Sequence, residues 1–226
     1  MAIIDKPSDY FNTVLYTGDG STGRSITGVG FQPDLVWIKN RSAAEAHSLY
    51  DAVRGTQKVI YSNLTNAEAT ETNGLSAFGS DGFSVGASGA INGSSKNIVS
   101  WNWKEQAGVF DIVSFTGNGS ARTISHNLGV VPKMYIVKNL STGSTQWRVY
   151  HASLGATKHM ALDATQAVGT ASVVFNNTEP TSSVFSVGTD TAANENGDNL
   201  ICYLFADSSM SKMGSYTGNG NADGTF

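Results

Sequence analysis

A single cysteine, Cys202, stands in the whole chain, so no internal disulfide framework is available and stability has to come from packing or association. Charge is scarce too: 14% of the residues are Asp, Glu, Lys or Arg, the net charge is -4, and no cluster of Lys and Arg marks a nucleic-acid partner. No apolar run approaches the roughly 20 residues of a membrane-crossing helix, so no membrane insertion is expected. Met1-Ala2-Ile3-Ile4-Asp5 lacks the basic start and apolar centre of a signal peptide, which leads us to expect a soluble product of the cytoplasm. The histidines, His47, His126, His151 and His159, show no close pairing of the zinc-helix kind and have one cysteine to support them, so no metal site is expected.

What the chain has instead is glycine, 25 residues of it, and a repeat. Tyr16-Thr17-Gly18-Asp19-Gly20-Ser21 returns as Phe115-Thr116-Gly117-Asn118-Gly119-Ser120 and again as Tyr216-Thr217-Gly218-Asn219-Gly220-Asn221. Thr17 and Thr116 lie 99 positions apart, and Thr116 and Thr217 lie 101 apart. The match continues with Pro33 to Asn40 against Pro132 to Asn139, Gly82 to Gly86 against Val184 to Gly188, and Val99 to Trp103 against Ile201 to Phe205. A unit of this length is too long for a solenoid repeat and has the size of an independent domain. Two domains joined like beads are therefore expected, at 14–108 and 109–210, behind an added arm at 1–13. Only the opening of a third, incomplete repeat follows, at 211–226.

Short β-favouring runs separated by turn residues fill both units. Thr13 to Tyr16 stops at a glycine-rich turn where φ > 0 is cheap. Leu35-Val36-Trp37-Ile38-Lys39 is apolar almost throughout, which predicts cover on both faces, whereas the alternation of Val99, Trp101 and Trp103 predicts a single buried face. Further strands are expected at Ser48 to Asp51, Lys58 to Tyr61, Leu75 to Phe78, Gly82 to Val85, Lys133 to Lys138, Trp147 to Tyr150, Met160 to Leu162, Val173 to Phe175, Val184 to Val187 and Leu200 to Phe205. Only Ser42 to Ala46 looks helical, and it is too short to be more than a turn at a strand end. The fold class that results is all-β: two tandem antiparallel β-sandwich, jelly-roll-like domains with an N-terminal extended arm.

No chemistry rises above this scaffold. Gly18-Asp19-Gly20-Ser21-Thr22-Gly23 fits G-x-G-x-x-G, but Arg24 to Gly28 reads as a strand where a dinucleotide site needs a helix. The acidic and amide-rich loop from Asp190 to Asp198 has oxygen ligands for calcium but no EF-hand spacing, and Ala87 to Ser95 in the first unit carries no carboxylate. Candidate acid pairs, Asp51 with Glu45 and Asp163 with Glu179, are not kept between the units, since Asp51 aligns with His151 and Asp34 with Lys133. No serine lies in G-x-S-x-G. Sequons at Asn40, Asn63, Asn92, Asn118, Asn139 and Asn176 are simplest as products of turns rich in Asn, Ser and Thr. Trp147 and Tyr150, if exposed, would stack on sugar rings. No enzyme, catalytic residue, cofactor or metal is expected.

Residues 1–13, the run Ser25 to Arg41 and the run Ile124 to Pro132 resemble the tandem-repeat structural proteins of marine tailed bacteriophages, those of cyanobacteria and of Pelagibacter-like hosts. The likeness covers essentially the whole chain. It implies a structural component of the virion (tail fibre, spike or capsid-attached fibre or knob), a spacer or adhesin in attachment to the host, with no known ligand residues to carry over. The implied partners are other virion proteins through the N-terminal arm, further copies in a homo-oligomer, and a host-surface glycan or receptor. The alternative is a carbohydrate-binding module, with a depolymerase ranked last.

Overall fold

In the computed structural model, residues 6–209 and 211–221 are described. The extended arm expected at 1–13 lies partly outside them, at 1–5. Among the rest, Pro7–Asp9 is a single 3-10 turn, and residues 11–13 already belong to the first strand. The first half contains β1 (Phe11–Thr17), β2 (Arg24–Thr27), β3 (Leu35–Asn40), β4 (Ser48–Asp51), β5 (Lys58–Tyr61), β6 (Ala69–Thr70), β7 (Leu75–Gly79), β8 (Gly82–Val85), the helical turn α1 (Gly89–Asn92) and β9 (Asn97–Trp103). The second contains β10 (Phe110–Thr116), β11 (Arg122–Ser125), β12 (Met134–Asn139), β13 (Arg148–His151), β14 (Lys158–Ala161), β15 (Gly169–Thr170), α2 (Ser172–Phe175), β16 (Val184–Val187), α3 (Thr191–Asn194) and β17 (Asn199–Phe205).

The protein is an all-β sandwich in which every strand pair is antiparallel. Each half has a six-stranded main sheet, in the orders β1-β9-β3-β4-β5-β6 and β10-β17-β12-β13-β14-β15. Across its inner face lies a small sheet, β2-β8-β7 in one half and β11-β16 in the other. The two orders correspond strand for strand, and Phe11 pairs with Trp103 as Phe110 pairs with Phe205. The equivalence therefore begins at Phe11, three residues earlier than the sequence boundary.

Alternation along the strands divides the apolar residues between two faces. In the first half, Val36, Ile38, Tyr50, Val59 and Ile98 point inward and meet Ile26, Leu75, Phe83, Val85 and Ile91. In the second half, Tyr135, Val137, Tyr150, Leu200 and Cys202 do the same against Ile124, Val174, Phe175, Phe185 and Val187. A third core lies between the halves. Leu35, Leu49 and Ile60, on the outer face of the first main sheet, pack against Phe110, Ile112, Ile136, Trp147, Val149, Ile201, Tyr203 and Phe205 on the outer face of the second. The expected beads are thus one block of four layers, small sheet, main sheet, main sheet, small sheet. The physical reason is that each main sheet is apolar on both sides, so neither half can leave its outer face in water.

Ser42 to Ala46, too short for more than a turn, forms a bend and no helix. Two local expectations change. Val173 to Phe175 is the helical turn α2 and not a strand. Val174 and Phe175 are neighbours and both fully buried, which a helical turn allows and a strand, sending them to opposite faces, does not. In β9 the outward Val99 is buried and the outward Trp101 and Trp103 partly so, while the inward Ile98, Ser100 and Asn102 are fully buried, so both faces are covered. Asn102 satisfies its amide on Asn12 O at 3.0 Å and Ser100 Oγ at 3.1 Å.

Candidate functional site at the seam between the halves

The repeated glycine turn is a structural clasp. Asp19 Oδ1 accepts from Ser21 N at 2.8 Å and Asn118 Oδ1 from Ser120 N at 3.0 Å, each the short local loop that Asx residues favour. A fully buried asparagine grips each turn. Asn92 Nδ2 donates to Asp19 Oδ1, Ser21 O and Gly86 O at 2.9 to 3.1 Å, and Asn194 Nδ2 to Asn118 Oδ1, Ser120 O and Gly188 O at 2.7 to 3.3 Å. Glycine is required at the point of contact, because a Cβ on Gly18 would stand 2.1 Å from Gly93 O and one on Gly117 1.9 Å from Glu195 O. The third copy keeps the turn, with Asn219 Oδ1 accepting from Asn221 N at 2.9 Å, but outside any strand. Since β2 follows the first copy, no helix N-terminus stands there to receive a phosphate.

Across the seam the polar contacts are few and buried. Trp147, fully buried, donates Nε1–H to Tyr61 O and Leu64 O of the other half, both at 3.1 Å. Lys138, also fully buried, donates to Thr145 O at 2.7 Å and across to Thr65 O at 3.2 Å, with its Nζ 5.8 Å from the Trp147 ring. Its surroundings offer carbonyls and a hydroxyl, so burial lowers its pKa to about 8. Tyr203 OH donates to Asp51 Oδ2 at 2.7 Å, and the same carboxylate is held by Arg54 Nε at 2.5 Å. Burial first, then the Asp51 charge, push the Tyr203 phenol well above its ordinary range and keep it a donor. Arg54 also reaches Glu68 at 3.2 Å and the carbonyls of Lys58 and Leu49.

Three carboxylates meet at the connection between the halves. Asp34 Oδ2 accepts from Glu105 N at 2.7 Å, Glu105 Oε1 from Ile112 N at 2.8 Å, and Asp111 Oδ2 from Asn127 N at 2.6 Å. Burial, and next a hydrogen bond with Asp111, raise Glu105 to about 7. Each acid is used to hold a backbone amide, and none of the three lines the cavity described next. Beside this connection the two main sheets part and leave a partly open cavity of about 340 Å³. Its wall includes Phe11, Trp37 and Trp103 from the first half and Phe110, Met134 and Phe205 from the second. Ring centroids run from 4.8 Å for Phe11 and Trp103 to 6.4 Å for Trp37 and Trp103.

The residues singled out in the sequence scatter. Trp147 and Tyr150 are buried, so neither is a sugar platform: one belongs to the seam and the other stacks on Tyr135 at 4.6 Å. Asp51 serves Arg54 and Tyr203, while Glu45 uses its backbone carbonyl for Lys39. Asp163 accepts from Trp147 N, and Glu179 from Tyr150 OH and Ala156 N. In the loop from Asp190 to Asp198, Asp190 pairs with Arg148 at 2.9 Å and caps α3, and Asp198 accepts from Asn139 and Thr142. His126 bonds Thr181 O across its own half and His151 bonds the neighbouring Ser153 Oγ, and among the described residues no group of three His, Cys, Asp or Glu is placed to hold a metal. Sequence reading missed one acid kept in both halves. Glu71 accepts from Tyr50 OH as Glu179 does from Tyr150 OH, hidden because the tyrosines are 100 positions apart and the glutamates 108.

The class this geometry defines is a duplicated β-sandwich whose halves are fused by a common core. By comparison with protein families, residues 6–226 match the model described as a domain of unknown function, DUF7483, and the chain belongs to that family. Comparison with curated proteins and with solved structures finds no match.

Proposed function

We propose that the protein is a structural component of a bacteriophage virion, a tail fibre, spike or capsid-attached fibre or knob, acting as a rigid spacer or adhesin in attachment to the host. The observation that carries this reading is the third core, which joins two sandwich units into one block across the short connection between Trp103 and Phe110. A spacer transmits position and force through such a block. The resemblance of residues 1–13, 25–41 and 124–132 to phage structural proteins supplies the setting. The residues before β1 would tether the block to other virion proteins. Homo-oligomerisation is supported by the part of the first main sheet that the second leaves uncovered, where Leu15 is 65% exposed on the edge strand β1. The glycan-binding alternative loses the two aromatics that suggested it. Antibodies raised against the purified protein and applied to intact particles test the proposal: gold label at one fixed site on the virion is expected. Protein found in lysates of infected cells but missing from purified particles would overturn it.

A further inference from the structure

We propose that the cavity between the two main sheets is a binding site for one small, uncharged, ring-bearing apolar molecule of about the size of a naphthol. Its volume, about 340 Å³, lies at the small end of the range of roughly 300 to 1,000 Å³ that ligand pockets occupy. An apolar cavity of about 150 Å³ already takes up a benzene ring in a protein interior. Among the described residues no carboxylate, ammonium or guanidinium lines the wall, so a charged ligand would lose its hydration without a partner. The rings supply the class. Trp103 stands 6.3 Å from Phe110 and 6.2 Å from Phe205, tilted or edge-on to each, an arrangement that offers both faces and edges to a further flat ring. Met134 and Met213 border the space with adaptable thioethers, and Met213 is held there by its own amide, which donates to Asp207 Oδ1 at 2.9 Å. Ser211 is the hydroxyl-bearing residue among those that line the wall, which suits a ligand with one hydroxyl of its own.

The full chain is titrated with 2-naphthol, and with 2-naphthalenesulfonate as a charged control of the same shape, by calorimetry and by quenching of tryptophan fluorescence. Saturable one-to-one uptake of 2-naphthol is expected, half-complete at or below about 1 mM, with a rise in Tm and at least tenfold weaker binding of the sulfonate. Met134→Trp fills the cavity and is expected to weaken uptake at least tenfold. Should that variant fail to fold, Ser211→Trp replaces it. A crystal soaked in 6-bromo-2-naphthol should place the bromine among Trp103, Phe110 and Phe205. The proposal is overturned by absence of saturable uptake, by uptake that Met134→Trp or Ser211→Trp leaves unchanged, or by bromine found elsewhere. Uptake confined to a chain that begins at Lys6 also overturns it, since the intact protein would then have no free site.

Discussion

Replacing Trp147 by alanine removes the side chain that most completely ties one half to the other. The indole is fully buried in the shared core, and its N–H satisfies two carbonyls, Tyr61 O and Leu64 O, that belong to the opposite half. Truncating a buried tryptophan costs about 3 to 5 kcal/mol in lost transfer energy and cavity. Losing the N–H adds roughly 1 kcal/mol, because the carbonyls stay buried without it. The expected loss is about 4 to 6 kcal/mol, a large part of the 5 to 15 kcal/mol typical of whole domains. Trp147→Phe keeps most of the ring and should lose less than half as much. The assay is urea unfolding followed by far-ultraviolet circular dichroism and by tryptophan fluorescence. With a common core, the wild-type chain unfolds in one transition seen alike by both probes, and Trp147→Ala moves that single midpoint. A loss below about 1.5 kcal/mol, or two transitions of which one alone shifts, would refute the shared core.

The clasp makes a paired prediction: Asn92→Ala and Asn194→Ala each leave buried oxygens without their donor and should cost about 2 to 4 kcal/mol in urea unfolding, whereas Asn63→Ala should cost under about 1 kcal/mol. Gly117→Ala forces a methyl to within 1.9 Å of Glu195 O and should lower Tm more than Gly197→Ala, where a Cβ meets nothing within 4 Å and the cost is confined to a φ of +83°. Glu105 sets a pH dependence. Burial raises its carboxyl to about 7, above the ordinary glutamate value of 4.5, so the folded chain holds the proton more tightly. That contribution is complete below pH 4.5 and is lost as pH rises through 7, and Glu105→Gln should flatten the slope of stability against pH between those values.

Much of the fold was legible in the sequence because its cause is local. The strands at Ser48–Asp51, Lys58–Tyr61, Gly82–Val85 and Val184–Val187 lie where β-branched and aromatic residues stand between turn formers. The unbroken apolar run from Leu35 to Ile38 correctly implies cover on both faces, yet it does not say what the second cover is. That cover is the other half, and nothing in Leu35, Leu49 or Ile60 names a partner nearly a hundred residues away. The same limit explains the misreading of Trp147: an indole near a strand end looks alike whether water or a sheet covers it. Of the sequon asparagines, Asn63, Asn118 and Asn176 lie in turns or loops, whereas Asn40 and Asn139 end strands, Asn92 ends a helical turn, and these three are buried. Asn92 and Asn139 are hydrogen-bond centres, which depends on carbonyls that only the folded chain brings near.

A duplicated chain whose copies pack outer face to outer face has a problem that a single unit does not. The contact here is not symmetric: the segment from Tyr61 to Thr65 supplies carbonyls, and Trp147 and Lys138 supply the donors. Identical copies would put donors and acceptors at both ends, and half of them would meet nothing. The sequence differs at those points. Trp147 corresponds to His47, Tyr203 to Trp101 and His151 to Asp51, and each of these differences touches a contact made across the seam or on the uncovered face opposite it. The contacts made within one half stay alike, as in Tyr50 with Glu71 and Tyr150 with Glu179, or Asn92 and Asn194 with their turns. Even the shared lysine divides its use: Lys39 Nζ bonds Glu45 O inside its own half, while Lys138 Nζ bonds both Thr145 O and Thr65 O. Each half still has to fold for itself, which fixes its inner residues, and the seam has to be built once, which lets the outer residues diverge. His47→Trp should therefore leave stability nearly unchanged where Trp147→His costs several kcal/mol, and equal losses from the two exchanges would mean that the seam is symmetric after all.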